Sequence, residues 1–335
     1  MSWQPTLTWQ NAQKRAQVLQ QIRNFFADRN VIEVETPALS LGTVTDVHLD
    51  AFACRYDFLS TRFVSHRFHS DSSAQSSTNL YLQTSPEFHM KRLLASGYGC
   101  IFQIAKAFRH EEAGRYHNPE FTLLEWYRLG FDHFDLMQEV AELLKTILDC
   151  AQPSLVTYQA LFIEQIGLDP LMANREQLLA LITQKNKLSD WLIAEQDIDS
   201  LLQFIFSEII EPHIGKCAPC FVYNFPRTQA SLANICPDDN RVAQRFECYF
   251  QGIELANGFN ELTDSKVQLQ RFQQDNAKRN ELGLKENIID KNFISALSYG
   301  LPQCSGVALG VDRLIMLALR AEHIKEVISF PVERA

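Results

Sequence analysis

The residues best suited to chemistry lie in one stretch, 105–127, which reads AKAFRHEEAGRYHNPEFTLLEWY and contains two Arg, one Lys, two His and four Glu. An apolar, strand-like run (101–108) precedes it, a Gly-, Asn- and Pro-containing segment (114–119) turns the chain, and a second apolar run (121–127) follows. This pattern predicts a β-hairpin with both signs of charge on an apolar frame. Such charge is costly to bury unless it is paired or meets a charged ligand. Two interpretations are open here: a solvated hairpin with surface salt bridges, or a site for a ligand of mixed charge, such as a nucleotide beside an amine.

A second candidate is the start of a predicted helix at 84–94. Ser85 is suited to cap this helix, and Pro86 suits its first position. Glu87 then lies in the first turn, where the helix dipole favours a carboxylate. The alternative is that Glu87 points into a pocket and pairs with an amine.

A third candidate lies at 246–262, where strand-like residues run to Leu255 and Asn257-Gly258 is a turn signal. Glu254 and Glu261 flank this predicted turn, which would bring their carboxylates together. Close carboxylates repel unless a cation or a shared proton relieves them. Magnesium held by carboxylates and substrate phosphates is the usual solution, and two surface glutamates are the alternative.

The fourth candidate is 304–319, which predicts a small-residue strand that passes through Gly310 into an apolar helix. Arg313 lies in the first turn of that helix, beside free N–H groups, an arrangement that suits a phosphate. The chain has neither a Walker lysine loop nor a Rossmann glycine fingerprint, so a nucleotide must bind in another way.

Composition places these candidates in an ordinary globular chain of one or two domains. It has 335 residues, of which 46% are hydrophobic and 21% charged, and a net charge of −9, which argues against broad nonspecific binding to nucleic acid. We find no run of roughly 18 apolar residues and no signal peptide, so we expect a cytoplasmic protein without a membrane segment. The eight Cys are scattered, and we expect free thiols.

The remaining pattern predicts the elements that position the candidates. An apolar stripe predicts a helix at 9–30, and an alternating run that ends at Pro37 predicts a strand at 31–37. Residues 62–79 are rich in Ser and predict an exposed insertion, and 151–215 predict a helical insertion without a catalytic constellation. Further predicted elements are strands at 80–83 and 220–224 and helices at 135–150 and 264–282.

Three of these segments, in order, resemble motifs 1, 2 and 3 of class II aminoacyl-tRNA synthetases: the helix and strand that end at Pro37, Phe108-Arg109-His110-Glu111, and Gly310-Val-Asp-Arg313. TSPEFHMKRL, RYHNPEFTLLEWY and GIELANGFNEL are similar to the lysyl-tRNA synthetase branch. The motif 1 helix starts almost at the first residue, so we expect no N-terminal anticodon-binding domain. A catalytic core of this kind resembles the elongation factor P–(R)-β-lysine ligase family, and NPEFTLLEWY, GIELANGF and CSGVALGVDRL extend the match.

The resemblance implies an α+β fold: a class II synthetase-like catalytic domain over 1–335, with an antiparallel sheet flanked by helices. Motif 1 implies a homodimer. The implied activity is ATP-dependent activation of (R)-β-lysine (or lysine) as an aminoacyl-adenylate, followed by transfer to a lysine side chain of elongation factor P, with ATP and Mg²⁺ as cofactors and without tRNA binding. The alternatives are a truncated synthetase that charges tRNA or another small acceptor, and a non-catalytic regulatory paralogue.

The resemblance also assigns roles to residues. Arg109 and Arg313 are the expected catalytic residues, on the α-phosphate and on the far phosphates. The expected ATP-binding set is Arg109, His110, Glu111, Asn118, Phe121, Glu254, Leu255, Gly310 and Arg313, in which Glu111 and Asn118 read the adenine and Phe121 stacks on it. The expected amino-acid set is Ser85, Pro86, Glu87, Glu125, Tyr127, Glu261 and Ala308, and the expected magnesium ligands are Glu254 and Glu261.

Two residues depart from the lysyl-tRNA synthetase pattern. His110 stands where Asn is common, which affects its contact with the adenine. Ala308 stands where Gly is found, and one methyl group in a tight pocket shifts preference by roughly 1–3 kcal/mol. An added methyl group at this position suits a substrate whose amino group has moved from the α to the β carbon.

Overall fold

Among the described residues, a mixed sheet of eight strands forms the centre of the fold. The structure is a computed structural model that describes residues 3–57, 77–110 and 114–335. Across the sheet the order is β1-β5-β6-β11-β10-β9-β8-β7, and β2, β4 and β3 form a separate small sheet. The strands are β1 (Ile32–Glu33), β2 (Leu39–Ser40), β3 (Ala53–Asp57), β4 (Ser77–Leu82), β5 (Ile101–Phe108), β6 (Glu120–Leu129), β7 (Ser154–Thr157), β8 (Cys220–Pro226), β9 (Val242–Phe250), β10 (Ile253–Asn260) and β11 (Cys304–Gly310).

The central strands β5, β6, β11, β10, β9 and β8 pair antiparallel, and the edge strands β1 and β7 pair parallel to their neighbours. The helices are α1 (Trp9–Ala27), α2 (Glu87–Ala95), α3 (His133–Leu148), α4 (Tyr158–Ile166), α5 (Arg175–Gln184), α6 (Asp190–Ala194), α7 (Ile198–Ile205), α8 (Ser265–Glu281), α9 (Lys291–Gly300) and α10 (Val311–Leu319). This is the predicted α+β architecture, an antiparallel core sheet flanked by helices.

One face of the large sheet is apolar and packs against α1, α3 and α10. Phe26 of α1 stacks on Phe102 of β5 at 4.5 Å between ring centroids and meets the edge of Trp126 of β6 at 5.2 Å. Each such side chain contributes roughly 1.5–3 kcal/mol when it is fully buried. Helix α3 is fixed at its start by a capping box between Asp132 and Asp135. This layer holds the sheet rigid behind the candidate site.

The opposite face of the sheet collects the polar and small residues that the sequence singled out. Cross-strand partners lie on the same face of a sheet. In one row Tyr127 pairs with Gly306, and in the next row Glu125 pairs with Ala308, which pairs with Asn257. Strand alternation therefore brings residues from distant parts of the chain onto one surface.

Residues 151–215 form the helices α4 to α7, whose apolar side chains, among them Phe162, Ile182 and Leu202, pack in one cluster with residues of β8 and β9. The segment also contains β7, which extends the large sheet by pairing parallel with β8. The expectation of a helical insertion therefore missed a strand. The sequence SLVT is short and half-exposed, so its alternation carries little signal.

Several predicted boundaries are wrong. Asn257-Gly258 is not a turn but lies inside β10, and the chain instead reverses between β9 and β10 at Gln251 and Gly252, both at positive φ. Gly258 is needed there because a Cβ would lie 2.4 Å from the ring of Phe246. Pro86, not Ser85, is the N-cap residue of α2, and no side chain caps this helix within the described ranges.

Other predicted elements differ at their ends. The strand predicted at 31–37 is reduced to Ile32–Glu33, and the helix predicted at 9–30 ends at Ala27. Most of the Ser-rich segment 62–79 lies outside the described residues, but Ser77–Leu82 is a strand. All eight cysteines lie in the described ranges and are free thiols, as expected. No described helix is both long and apolar enough to cross a membrane.

Candidate active site

Five side chains form a buried polar group on the polar face of the sheet, which we call the carboxylate pocket: Glu87, Lys91, Glu125, Tyr127 and Glu261. Helix α2 supplies the first two, β6 supplies the next two, and Glu261 directly follows β10. Glu125, Tyr127, Lys91 and Glu261 are each at most 2% exposed. Isolated buried charges would be severely destabilising, so the pairing within the pocket decides its chemistry.

Lys91 lies at the centre of this pairing. Its Nζ is 2.6 Å from Glu87 Oε1 and 2.5 Å from Glu261 Oε2. On the other side of the pocket, the Tyr127 hydroxyl donates a 2.7 Å hydrogen bond to Glu125 Oε1. The second carboxylate oxygen of Glu125 is buried and accepts no hydrogen bond from the described residues. One acceptor of the pocket is thus left for a donor that the described residues do not supply.

The protonation of the pocket reflects an excess of carboxylates. Burial alone would lower the pKa of Lys91, but the Glu261 and Glu87 carboxylates outweigh burial and hold this pKa above its ordinary value. Burial, with Glu87 nearby, raises the pKa of Glu125, and burial raises that of Glu261 to about 8 even beside Lys91. Three carboxyl groups lie around one ammonium, so the pocket holds protons that a positively charged ligand would displace.

Small residues on β11 form the floor of the pocket. A Cβ at Gly306 would lie 2.2 Å from Tyr127 Cε1 and 2.5 Å from Glu261 Oε1, so only glycine leaves these two side chains in place. Two residues on, Ala308 separates Glu125 of β6 from Asn257 of β10. Like Glu125 Oε2, the buried Asn257 Oδ1 accepts no hydrogen bond in the described part of the chain. Two unused acceptors therefore flank Ala308.

The Asn257 amide is oriented by a second buried group. Its Nδ2 donates to Glu247 Oε1 at 3.1 Å, and Arg245 Nη2 donates to the same oxygen at 2.5 Å. The Tyr249 hydroxyl donates to the other oxygen of Glu247. These bonds direct the Asn257 nitrogen toward Glu247 and leave its oxygen for the pocket.

Arginines lie at the other end of the site. Arg313, in the first turn of α10, donates from Nη1 to the Glu254 carbonyl at 2.9 Å and lies 3.6 Å from the Glu254 carboxylate. Its Nη2 is 2.7 Å from His117 Nε2. Arg109, at the end of β5, donates from Nε to the Thr84 carbonyl at 3.4 Å, and its guanidinium carbon is 5.2 Å from the Phe121 ring centroid. These contacts place both arginines close to the polar face.

The other predicted ATP-binding residues are placed as follows. The Asn118 side chain is already used, since it donates to Glu120 O at 2.6 Å and accepts from Val332 N at 3.0 Å. Leu255 is buried, at 2% exposure. Leu255 therefore has only its backbone available for a nucleotide, and the Asn118 amide is held in place by its two bonds. His110 packs on Phe52, and Glu111 lies outside the described residues.

At the start of α2, the half-buried Ser85 and the buried Pro86 precede Glu87. Gly310 is the N-cap of α10, where a Cβ would lie 3.6 Å from Arg313 Cδ. Such a separation is an ordinary contact, so space alone does not demand glycine there.

The predicted magnesium pair is not brought together by a turn. Glu254 lies near the start of β10 beside Arg313, and Glu261 follows its end and is paired with Lys91. Among the described residues, no group of three or more His, Cys, Asp and Glu side chains could hold a metal ion. Glu254 fits a cation better than Glu261 does, because its side chain is 38% exposed and that of Glu261 is 1% exposed.

Sequence patterns missed three contributors to the site: Lys91, Gly306 and Asn257. Lys91 carries a signal, because it lies four residues after Glu87 and thus on the same side of a helix. Gly306 lies two residues before Ala308, on the same face of a strand. Asn257 was missed because the sequence pattern predicted a turn at Asn257-Gly258, whereas the residue lies in β10.

Comparison with known proteins agrees with this architecture. Residues 6–334 match the family described as tRNA synthetases class II (D, K and N). Proteins named elongation factor P–(R)-β-lysine ligase from Yersinia pestis (strain Pestoides F), Yersinia pseudotuberculosis serotype O:1b (strain IP 31758) and Yersinia pestis bv. Antiqua (strain Angola) are each 54% identical over 334 residues, which cover 100% of this chain and 98% of the relative. The chain therefore belongs to the class II tRNA synthetases and, among them, to the elongation factor P–(R)-β-lysine ligase family.

Proposed function

We propose that this protein uses ATP to activate (R)-β-lysine as an aminoacyl-adenylate and transfers the β-lysyl group to a lysine side chain of elongation factor P. The family supports the reaction class, and the names of the relatives support both substrates. The observation that carries the choice of a diamino acid is the carboxylate pocket, in which the buried Glu125 and Glu261 and the half-buried Glu87 surround one lysine.

The pocket is suited to ammonium groups and unsuited to neutral or acidic ligands. Glu125 Oε2 and Asn257 Oδ1 are buried acceptors that lack donors in the described residues. A buried acceptor without a partner costs roughly 1–3 kcal/mol, which a ligand donor recovers. An ammonium supplies three donors and a positive charge, so it satisfies the hydrogen bonds and the excess of carboxylates together. Glu87, Glu125, Tyr127 and Glu261 are the residues that we assign to the amino acid.

The arginine end of the site is suited to ATP. Negative charge develops on the α-phosphate as the amino-acid carboxylate attacks phosphorus and pyrophosphate leaves. We assign Arg109 to that phosphate, Arg313 to the far phosphates, and Phe121 to stacking on the adenine. Backbone groups at Asn118 and Leu255, with His110, Glu111 and Gly310, complete the proposed nucleotide site.

We assign magnesium to Glu254, with the phosphates as its other ligands. Bound magnesium would neutralise charge on the phosphates. The region around Glu254 has surplus negative charge, since burial and the nearby Glu254 and Glu247 raise the pKa of Glu211 to about 8. Glu261 is assigned to the amino acid and not to the metal, because its carboxylate is buried against Lys91.

Transfer follows from the mixed anhydride that adenylation creates. The neutral lysine amine of the acceptor attacks the acyl carbon, AMP leaves, and an amide bond forms. The acceptor amine loses a proton in this step. A tRNA hydroxyl would react by the same route, so the acceptor must be identified by experiment.

The test is to incubate the protein with ATP and labelled (R)-β-lysine and then to offer elongation factor P or bulk tRNA. We expect the label to appear on elongation factor P. Label on RNA would instead support a synthetase that charges tRNA, and absence of adenylate would support a non-catalytic paralogue. Elongation factor P with its acceptor lysine replaced by arginine is the matched control.

We also propose that the protein is a cytoplasmic homodimer. Large apolar side chains are exposed near the edge strand β1 and the small sheet, including Ile32 at 59% and Leu39 at 43%. An uncovered edge strand with apolar neighbours favours association. Sedimentation equilibrium tests this, and a monomer at micromolar concentration would contradict it.

A further inference from the structure

Lys91 is a buried cation for which neither the resemblance nor the proposed reaction provides a role. It lies on the second turn of α2, and its side chain is 1% exposed. Its ammonium is 2.6 Å from Glu87 and 2.5 Å from Glu261, two residues assigned to the amino acid. An amine of the bound amino acid cannot reach these carboxylates without sharing them with Lys91.

We propose that Lys91 is the resident counter-ion of the carboxylate pocket: a positioning residue that holds Glu87 and Glu261 and sets the number of positive charges the pocket accepts. This inference rests on the proposed function. It adds that substrate charge is selected by the balance between three carboxylates and one lysine, and not by the carboxylates alone.

The geometry supports a positioning role and not direct contact with substrate. Two of the three ammonium donors point at carboxylates on different elements, α2 and the segment after β10. Lys91 therefore ties the helix to the sheet at the point where the glutamates assigned to the amino acid converge. Removing one partner of a buried ion pair leaves an uncompensated buried charge, so the two glutamates depend on Lys91 for their positions.

The titratable groups that face Lys91 come from three of the elements packed around it. They are Glu87 of α2, Glu125 and Tyr127 of β6, and Glu261 after β10, while Phe293 of α9 lies 5.9 Å from the ammonium. The pKa values of Tyr127 and of the nearby Cys304 thiol are raised by burial, so both groups are neutral. Three carboxylates less one ammonium leave a deficit of two positive charges.

A diamino acid with both amines protonated supplies two positive charges. (R)-β-lysine has this charge on its amines, and a monoamino acid of the same length has half of it. The balance thus explains why a pocket with three glutamates also contains a lysine: without Lys91, two ammonium groups would leave one buried carboxylate without a counter-charge.

The charge count makes a prediction that a purely structural role does not make. In Lys91→Met the deficit becomes three, and in Glu87→Gln it becomes one. In the double variant Glu87→Gln/Lys91→Met it returns to two. We therefore expect the double variant to bind (R)-β-lysine more tightly than either single variant, although it has lost more native groups.

The experiment measures amino-acid-dependent ATP–pyrophosphate exchange and determines KM for (R)-β-lysine and for ATP separately. For Lys91→Met we expect the KM for (R)-β-lysine to rise on the order of 30-fold and the KM for ATP to stay within about twofold. Lys187→Met is the matched control, since Lys187 pairs with Glu208 on the surface at 2.9 Å, and we expect it to behave like wild type.

Two results would overturn the inference: a wild-type KM for (R)-β-lysine in Lys91→Met, or a double variant that binds no better than Glu87→Gln alone. The second comparison holds even if Lys91→Met fails to fold, because the double variant has the same charge deficit as the wild type and not the larger deficit of Lys91→Met. Wild-type protein without exchange activity on (R)-β-lysine would refute the proposed function, and this outcome is distinct from both.

Discussion

Gly306 provides the sharpest test of the pocket, because a single methyl group at this position has nowhere to go. In Gly306→Ala the new Cβ would lie 2.2 Å from Tyr127 Cε1, 2.4 Å from Cδ1 and 2.5 Å from Glu261 Oε1. Ordinary carbon contacts are about 3.5–4.0 Å, so the ring or the strand must move by roughly 1 Å. The Tyr127 ring is 2% exposed and its hydroxyl is hydrogen-bonded to Glu125. The movement is therefore transmitted to Tyr127 and Glu125, two residues that we assign to amino-acid binding.

We expect Gly306→Ala to lower both the stability and the activity of the protein. Overpacking a buried site costs roughly 1–3 kcal/mol of folding stability, which corresponds to a fall in Tm of about 1–4 °C for a chain of this size. A displacement of about 1 Å at reacting groups costs on the order of 100-fold in rate. We therefore expect kcat/KM for (R)-β-lysine in the exchange assay to fall about 100-fold while the protein stays folded.

Gly114→Ala is the matched control, since a Cβ there meets only His117 Nδ1 at 4.0 Å. We expect its Tm to equal that of the wild type in differential scanning calorimetry. Wild-type kcat/KM for (R)-β-lysine in Gly306→Ala would refute the placement of Tyr127 and Glu261 against β11, and with it the proposed floor of the pocket.

Three further predictions test other parts of the site. Arg109→Ala should abolish adenylate formation, because it removes the charge at the α-phosphate, and normal ATP–pyrophosphate exchange would remove the assignment. Ala308→Gly should shift activity toward α-lysine by a factor of about 10–200, read as the ratio of kcat/KM values for the two amino acids, and an unchanged ratio would contradict the role of the methyl group. Glu211 has a pKa raised from 4.5 to about 8 by burial and by Glu254, so its protonated form contributes stability that is fully present below pH 4.5 and lost as the pH rises through 8. Glu211→Gln should therefore gain Tm relative to wild type between pH 5 and pH 9 in metal-free buffer, and a difference that does not vary with pH would show that Glu211 is not buried as described.

Local patterns were sufficient for the main elements around the site. The apolar runs at 101–108 and 121–127 correspond to β5 and β6, and the amphipathic run at 135–150 corresponds to α3 (His133–Leu148). These segments are long and strongly periodic, so burial of one face determines their conformation. Turn chemistry was less reliable: Asn257-Gly258 is a common turn pair but lies in a strand, because close packing against Phe246 requires glycine there.

The sequence by itself determined which types of residue the site would use and, through the order of its motifs, the family and the two arginines of the expected nucleotide site. Only the tertiary structure decided how the charges are shared. Glu87 and Lys91 are one turn apart on α2, but Glu261 is far from both along the chain, and the docking of α2 on the sheet brings Glu261 within 2.5 Å of Lys91. Glu254 and Glu261 are seven residues apart in sequence, yet one pairs with Arg313 and the other with Lys91. The physical reason is that sequence spacing specifies a face only within one regular element, whereas the pairing of buried charges depends on which elements pack together.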